Sequence, residues 1–421
     1  MKVNICSVHS TVASPPILSS EATAAPLADR RAYRMSSLDM LRGLVIVVMA
    51  LDHVRDFFMT AAVQDPTADP TTGPLLFATR WITHFCAPTF VFLAGTSAGL
   101  MVSRKSPTEL ASFLLTRGLW LLVLEVLVIS TAASFAPTGV DAFGGRTYIN
   151  LQVMWSIGAS MVMLAGAQFL GRRACLAIGA AILLGHNLLD AIWPAAMTSA
   201  STAPAWAALH SRQFYEVGRF AIFFNYPLLP WIGVMFLGYG AAGLFELPAK
   251  QRHQWLLRIG VSLVIAFILI RGLSVYGDPH PWKADPSRTA ASIMSFLATT
   301  KYPPSLLFVL MTLGPAAMAC AFAERLRGPI KDVLVTFGRA PLAFYIAHLY
   351  LIHGLAILFG TAQGFAAEQF LTLYRFFPQG FGMGLPGVYL IWIAVVVMLY
   401  PLCRWVAAVK ARRQNWWLSY V

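Results

Sequence analysis

The sequence predicts an all-α, polytopic integral membrane protein: a helical bundle of about ten transmembrane helices with both termini in the cytoplasm. Of the 421 residues, 58% are hydrophobic and only 12% are charged, whereas soluble domains carry about a quarter charged residues. The mean hydropathy of +0.66 comes from repeated apolar runs of roughly twenty residues, the length that crosses a bilayer core as a helix. Basic residues cluster at the ends of these runs. The composition therefore excludes a soluble cytosolic enzyme.

Ten apolar runs provide the predicted spans, each within or near the length of a spanning helix. They cover residues 39–58, 77–102, 110–134, 149–170, 174–193, 221–245, 256–276, 304–323, 333–359 and 385–405. The longer polar connections are predicted to lie on the outer face, at residues 135–148, 194–220, 277–303 and 360–384.

The orientation follows from the basic residues. Most of the 31 Lys and Arg residues flank spans on the side of the N-terminus, as Arg104, Lys105, Arg172 and Arg173 do. Because cytoplasmic segments carry the excess of Lys and Arg, both termini are placed inside the cell. The formal net charge of +13 is then explained by topology, and no nucleic acid partner is expected. The expected location is the cell inner (plasma) membrane, with the lipid bilayer as a partner.

Two segments are predicted. Residues 1–33 are rich in Ala, Ser, Thr and Pro and lack the continuous apolar core of a signal peptide, so we interpret them as a disordered cytoplasmic tail. Residues 34–421 are predicted to form a single transmembrane domain. The five cysteines are scattered without ligand spacing, so neither a disulfide framework nor a metal site is expected.

The first predicted helix is charged at both ends and apolar in the middle. Asp39 and Arg42 are three residues apart and can pair on one helix face. Asp52 and His53 follow about 20 Å of helix rise later, with Asp56 one turn beyond. Ionisable residues within a span are costly and indicate function. For Asp39 and Arg42, a structural ion pair at the membrane surface is an equal alternative.

The second predicted helix places Arg80 and His84 four residues apart, at about the depth of His53. Consecutive spans usually pack together, so the two histidines are expected to converge. Neutral imidazole accepts a proton near neutral pH, and a nearby carboxylate sharpens that role. The predicted general base is therefore His53 or His84, oriented by Asp52. Arg80 is a candidate to stabilise an oxyanion, with interface anchoring as its alternative.

At these residues the sequence resembles the catalytic domain of heparan-alpha-glucosaminide N-acetyltransferase and its bacterial relatives. The matching motifs are SLDMLRG at residues 37–43, the LDH that ends the first span, and APTFVFLAG at 87–95. Later stretches also look like the bacterial members, notably KYPPS at 301–305, FGRAP at 337–341 and the histidine of IAHL at 346–349. The similarity runs from about Arg34 to the last span.

The resemblance implies transfer of an acetyl group from cytoplasmic acetyl-CoA to a sugar acceptor on the far side of the membrane. It also implies that the catalytic histidine of the human-type enzyme lies in the loop after the first span, close to an asparagine. Here His53 stands at the asparagine position, and no histidine occurs between Met59 and Thr79. That catalytic histidine cannot be assigned by the resemblance.

The predicted function is therefore that of an acyl-CoA-dependent O- or N-acetyltransferase acting on a sugar or glycolipid at the outer face. Transfer is direct, or passes through an acetyl-histidine. The predicted catalytic residues are His53, His84 and Asp52. The predicted substrate-binding residues are Asp39, Arg42, Arg80, Asp56, His348, Lys301 and Tyr302.

Two questions stay open at the level of sequence. A proton-coupled transporter or flippase of an envelope glycan precursor would use the same buried Asp and His residues as a relay. Small residues such as Gly95, Ser97 and Gly99 can support close packing within the chain or between the copies of a homodimer.

Overall fold

The computed structural model describes residues 36–60, 65–192 and 203–413, and it is built mainly of helices. The predicted tail at residues 1–33 lies outside the described residues. In chain order the helices are α1 (Ser36–Phe58), α2 (Pro74–Thr83), α3 (Cys86–Met101), α4 (Pro107–Leu124), α5 (Ser130–Ser134), α6 (Val153–Ala167), α7 (Arg172–Gly185), α8 (Leu188–Ile192), α9 (Ala203–Leu209), α10 (Leu228–Gly240), α11 (Gly243–Glu246), α12 (Ala249–Leu273), α13 (Thr289–Leu297), α14 (Leu306–Ala323), α15 (Pro329–Arg339), α16 (Pro341–Ala362) and α17 (Leu385–Arg412).

Eight helical segments in the described part of the chain are long and apolar enough to cross a membrane, which confirms a polytopic helical membrane protein. Two of the ten predicted spans are not among them. Helix α1 has 23 residues but carries charged side chains near both ends. Helix α7 has only 14 residues, about 21 Å of rise, which is shorter than the roughly 30 Å hydrocarbon core.

A small sheet accompanies the helices, and the sequence did not predict it. Strand β3 (Phe220–Phe224) pairs in parallel with β1 (Thr147–Leu151) and antiparallel with β2 (Gln213–Val217). The predicted spans at 149–170 and 221–245 therefore begin as strands. Each of these two strands is followed closely by an apolar helix, so strand and helix together form one apolar run.

Close helix packing at glycine joins α1 to α15. A Cβ atom on Gly43 would lie 1.8 Å from the carbonyl oxygen of Leu334, and one on Gly338 would lie 1.8 Å from that of Asp39. A similar approach joins α3 to α10, where a Cβ on Gly95 would lie 2.1 Å from the Met235 oxygen. These small residues therefore pack within the chain.

The connection between α12 and α14 is held by buried polar groups. Arg271 donates hydrogen bonds to the carbonyls of His280, at 2.7 Å, and Ala298, at 2.6 Å. The carboxylate of Asp278 accepts from the Thr300 backbone N–H at 2.8 Å and from the Ser305 hydroxyl at 2.7 Å. This bonding fixes the segment that presents residues 301 and 302 to the rest of the bundle.

Candidate active site

A cavity of about 330 Å³ lies beside one end of α1. Its walls come from α1 and α2, from the sheet, and from the segments around residues 301 and 375. Some of these wall segments, such as those around residues 301 and 375, belong to the connections that the sequence assigns to the outer face. The volume is within the range of small-molecule sites. We call the neighbouring part of α1, from Asp52 to Phe58, its cavity end, and the part from Ser36 to Gly43 its closed end.

His53 lines the cavity and is bonded to His348. The Nδ1 atom of His53 lies 2.6 Å from the Nε2 atom of His348, and the two rings are nearly parallel with centroids 4.9 Å apart. The Nδ1 atom of His348 lies 3.0 Å from the carbonyl oxygen of Phe344. His348 is fully buried.

This chain of contacts determines the tautomers of two neutral imidazoles. A carbonyl oxygen only accepts, so Nδ1 of His348 carries its proton and Nε2 of the same ring is the acceptor. Nδ1 of His53 must then donate to that acceptor. The lone pair of His53 is left on Nε2, where a neutral imidazole can accept a proton.

A network of ion pairs occupies the neighbouring wall. Asp52 pairs with Arg80 and, at 3.2 Å, with Arg55. Arg55 also pairs with Asp56, and the Nε atom of Arg80 lies 3.6 Å from Asp65. The predicted partnership between Asp52 and His53 is thus replaced by two others, because Asp52 pairs with arginines and His348 bonds to His53.

Asp65 shows the electrostatic effect of this network. Burial raises the pKa of its carboxyl group, but attraction to the Arg80 guanidinium and hydrogen bonds from Thr67 outweigh burial and lower the pKa to about 2. The carboxylate stays charged at neutral pH and helps to hold Arg80 against the cavity wall.

Lys301 and Tyr302 also line the cavity, as the prediction of substrate contact requires. Lys301 is 6% exposed, and its Nζ lies 5.1 Å from the centre of the Tyr302 ring. The guanidinium of Arg212 lies 4.5 Å from the centre of the same ring. Tyr302 is therefore flanked by two cations.

The structure does not bring His84 to the cavity lining. The side chain is fully buried, with its ring centre 5.3 Å from that of Phe308, and neither of its ring nitrogens has a hydrogen-bond partner in the described part of the chain. The hydrogen-bond partner of His53 is thus His348 and not His84.

Asp39 and Arg42 lie at the closed end of α1, outside the cavity lining. They form an ion pair at 2.8 Å, and Arg42 donates to the Ser97 hydroxyl at 3.2 Å. Thirteen residues of helix, about 20 Å, separate Asp39 from Asp52. The ion pair is therefore present, and substrate binding by these two residues stays a prediction.

Two cationic residues of the lining were missed, Arg212 and Arg375. Arg212 precedes β2 and donates to the Asn225 side chain at 2.8 Å, and Arg375 lies in a short 3-10 helix at Tyr374–Phe376. The sequence could have identified both residues, because they lie in predicted outer connections, where the positive-inside rule expects few Lys and Arg residues.

A comparison with protein families identifies the family of the chain. The family model described as heparan-alpha-glucosaminide N-acetyltransferase, catalytic, matches residues 34–277, more than half of the chain. The chain belongs to this family. Membership indicates a membrane acetyltransferase, and the matched range includes the cavity end of α1 and the sheet. No curated protein matches the chain.

Within the described ranges, no group of three His, Cys, Asp or Glu side chains is placed to hold a metal ion. The side chains that line the cavity include an imidazole, guanidinium and ammonium groups, and aromatic rings.

Proposed function

We propose that this protein transfers an acetyl group from acetyl-CoA to a hydroxyl or amine of a sugar or glycolipid, with His53 as the general base. The observation that carries the proposal is the bonded pair of His53 and His348 at the wall of the cavity. Family membership supports acetyl transfer, and the aromatic lining provides flat apolar faces of the kind that sugar rings stack on.

In the proposed step, the acceptor O–H or N–H gives its proton to Nε2 of His53. The acceptor atom then forms a bond to the thioester carbonyl carbon, and the electron pair of the C–S bond leaves with sulfur. The imidazolium returns the proton to the thiolate, so that the base is regenerated. Arg80 lines the same cavity and is the candidate donor to the oxyanion that forms on the carbonyl oxygen.

The proposed orientation places the donor in the cytoplasm and the acceptor at the outer face of the plasma membrane. It is supported by the basic clusters on the side of the N-terminus and by the lining residues that come from predicted outer connections, among them Arg212, Lys301 and Arg375. Passage of an acetyl group without bulky, charged coenzyme A gives a physical reason for a membrane-embedded site.

The test measures acetyl-CoA binding and thioester hydrolysis by the purified protein in detergent. His53→Leu and His84→Leu are compared because both remove an imidazole and keep similar volume, and His253→Leu on α12 serves as the control. We expect wild-type protein to bind and hydrolyse acetyl-CoA, and His53→Leu to lower hydrolysis at least about a hundredfold with binding retained.

Three results would count against the proposal. Loss of hydrolysis in His84→Leu but not in His53→Leu would move the base to the second predicted helix. Equal activity in all three variants would remove histidine base catalysis altogether. Absence of acetyl-CoA binding at millimolar concentration would favour the proton-coupled transporter, which needs an ion gradient and no acyl donor.

A further inference from the structure

Three cations that line the cavity form no ion pair with a carboxylate of the described residues: Lys301, Arg212 and Arg375. The three carboxylates of the lining, in contrast, all pair with Arg55 or Arg80. The cavity and its ion-pair partners thus hold five cations against three carboxylates, which leaves an excess of positive charge.

Lys301 is the least solvated of the three unpaired cations. It is 6% exposed and borders the cavity, and the contact identified for its ammonium group is the face of the Tyr302 ring at 5.1 Å. A buried charge without a counter-charge is costly. A negatively charged ligand group in the cavity would offset that cost.

The positive charges act on the same part of the cavity. Burial raises the pKa of Tyr302, but the charges of Lys301, Arg80 and Arg212 outweigh burial and hold this pKa below its usual range. At Tyr148, which also lines the cavity, the charges of Arg375 and Arg212 both oppose the rise in pKa that burial causes. Arg212 therefore contributes to the electrostatic potential at both tyrosines.

Topology gives no reason for these three residues. They come from predicted outer connections, on the face that the positive-inside rule leaves poor in Lys and Arg. Arg212 also has no carboxylate partner among the described residues. Its guanidinium lies against the rings of Tyr302 and Phe223 and donates to the Asn225 amide oxygen. A guanidinium arranged in this way keeps N–H donors for a planar oxyanion.

We propose that Lys301, Arg212 and Arg375 form a subsite for an oxyanion group, a carboxylate or a phosphate, on a ligand of the cavity. The proposal rests on the proposed function only in treating the cavity as the substrate site. Two sources of the oxyanion share this chemistry: an acidic or phosphorylated sugar acceptor, and the phosphates of the acyl donor.

The test measures binding without turnover, by calorimetry on the purified protein in detergent. N-acetylglucosamine 1-phosphate and glucuronate are compared with neutral N-acetylglucosamine, and acetyl-CoA is compared with S-acetylpantetheine, which lacks the nucleotide phosphates. The variants are Lys301→Met, Arg212→Gln and the charge-retaining Lys301→Arg. The control is Lys283→Met, an exposed residue of the same connection.

We expect Lys301→Met and Arg212→Gln each to weaken the binding of anionic probes about tenfold or more, and Lys301→Arg to retain it. A loss confined to the two anionic sugars assigns the oxyanion to the acceptor. A loss for acetyl-CoA but not for S-acetylpantetheine assigns it to the donor, whose phosphates would then bind beside the predicted outer connections and not in the cytoplasm as the proposed orientation has it. Both results support the subsite.

The proposal is overturned if Lys301→Met lowers the affinity for the anionic probes no more than Lys283→Met does. It is equally overturned if the variants lower the affinity for neutral and anionic probes by the same factor. It is also overturned if wild-type protein binds none of the anionic probes at millimolar concentration. This test measures no acetyl transfer, so failure of the subsite is distinct from failure of the proposed function. If only the proposed function failed, the protein would bind anions but would not turn over acetyl-CoA.

Discussion

The two ends of α1 carry similar charged residues in surroundings that differ completely. At the closed end, Asp39 pairs with Arg42, Arg42 bonds to Ser97, and the helix presses against α15 through Gly43. At the cavity end, Asp52 also pairs with arginines, but the next residue, His53, borders a cavity.

The difference teaches that an Asp and an Arg three residues apart on a helix do not define a site. At the closed end, the backbones of α1 and α15 are in direct contact at Gly43 and Gly338, next to the ion pair. At the cavity end, chain segments distant in sequence leave a space next to an imidazole. The proposed function depends on that space and on the group that orients the imidazole.

The variant with the largest expected effect on stability is Gly43→Ala, at the closed end of α1. The added Cβ would overlap the Leu334 carbonyl oxygen, at 1.8 Å, so α1 and α15 must separate. We expect a loss of about 3 kcal/mol or more in the free energy of unfolding, measured as a fall in Tm in detergent, with activity lost through unfolding.

The matched control is Gly354→Ala on α16, where nothing lies within 4 Å of the added Cβ. Alanine is favoured over glycine inside a helix by about 0.5–1 kcal/mol, so this variant should be as stable as wild type or more so. Equal Tm values for the two variants would show that the closed end is not tightly packed.

Much of the bundle could be predicted from sequence because hydrophobic run length and basic flanks report the bilayer directly. The charged residues at both ends of α1 were found for the same reason. The strands were missed because a short apolar strand followed by an apolar helix forms one continuous run, as Phe220–Phe224 does with α10.

The partner of His53 could not be found in this way. His348 is 295 residues away in the chain, and the sequence placed it among substrate contacts rather than beside the base. The nearest carboxylate in sequence, Asp52, was the natural choice, but two arginines bind it in the fold. Pairing between distant helices depends on packing, which local spacing does not encode.

The second prediction concerns the cavity end and tests His348 as a positioning residue. His348→Leu removes the acceptor for the His53 Nδ1–H group, so the wrong tautomer of His53 can form. We expect kcat to fall about a hundredfold with little change in KM for acetyl-CoA, measured by steady-state kinetics.

A glutamine at this position can accept the same hydrogen bond through its amide oxygen. His348→Gln should therefore restore part of the activity that His348→Leu loses. If both variants lose activity to the same extent, or if KM rises while kcat is unchanged, His348 acts through packing or binding rather than through the tautomer of His53.

The smallest expected effect comes from Asp65→Asn and depends on pH. The pKa of Asp65 in the folded protein is about 2, below the value near 3.9 of an unfolded aspartate. A lowered pKa means that the ionised carboxylate contributes stability above about pH 4 and loses it as the pH falls through about 2.

The Tm difference between wild type and Asp65→Asn should thus be small and constant from about pH 5 to 8 and narrow only below about pH 4. A difference that already narrows between pH 5 and 7 would mean that Arg80 does not hold this carboxylate in its charged form, and the cavity end would then owe its order to the histidine pair and the Asp52 ion pairs alone.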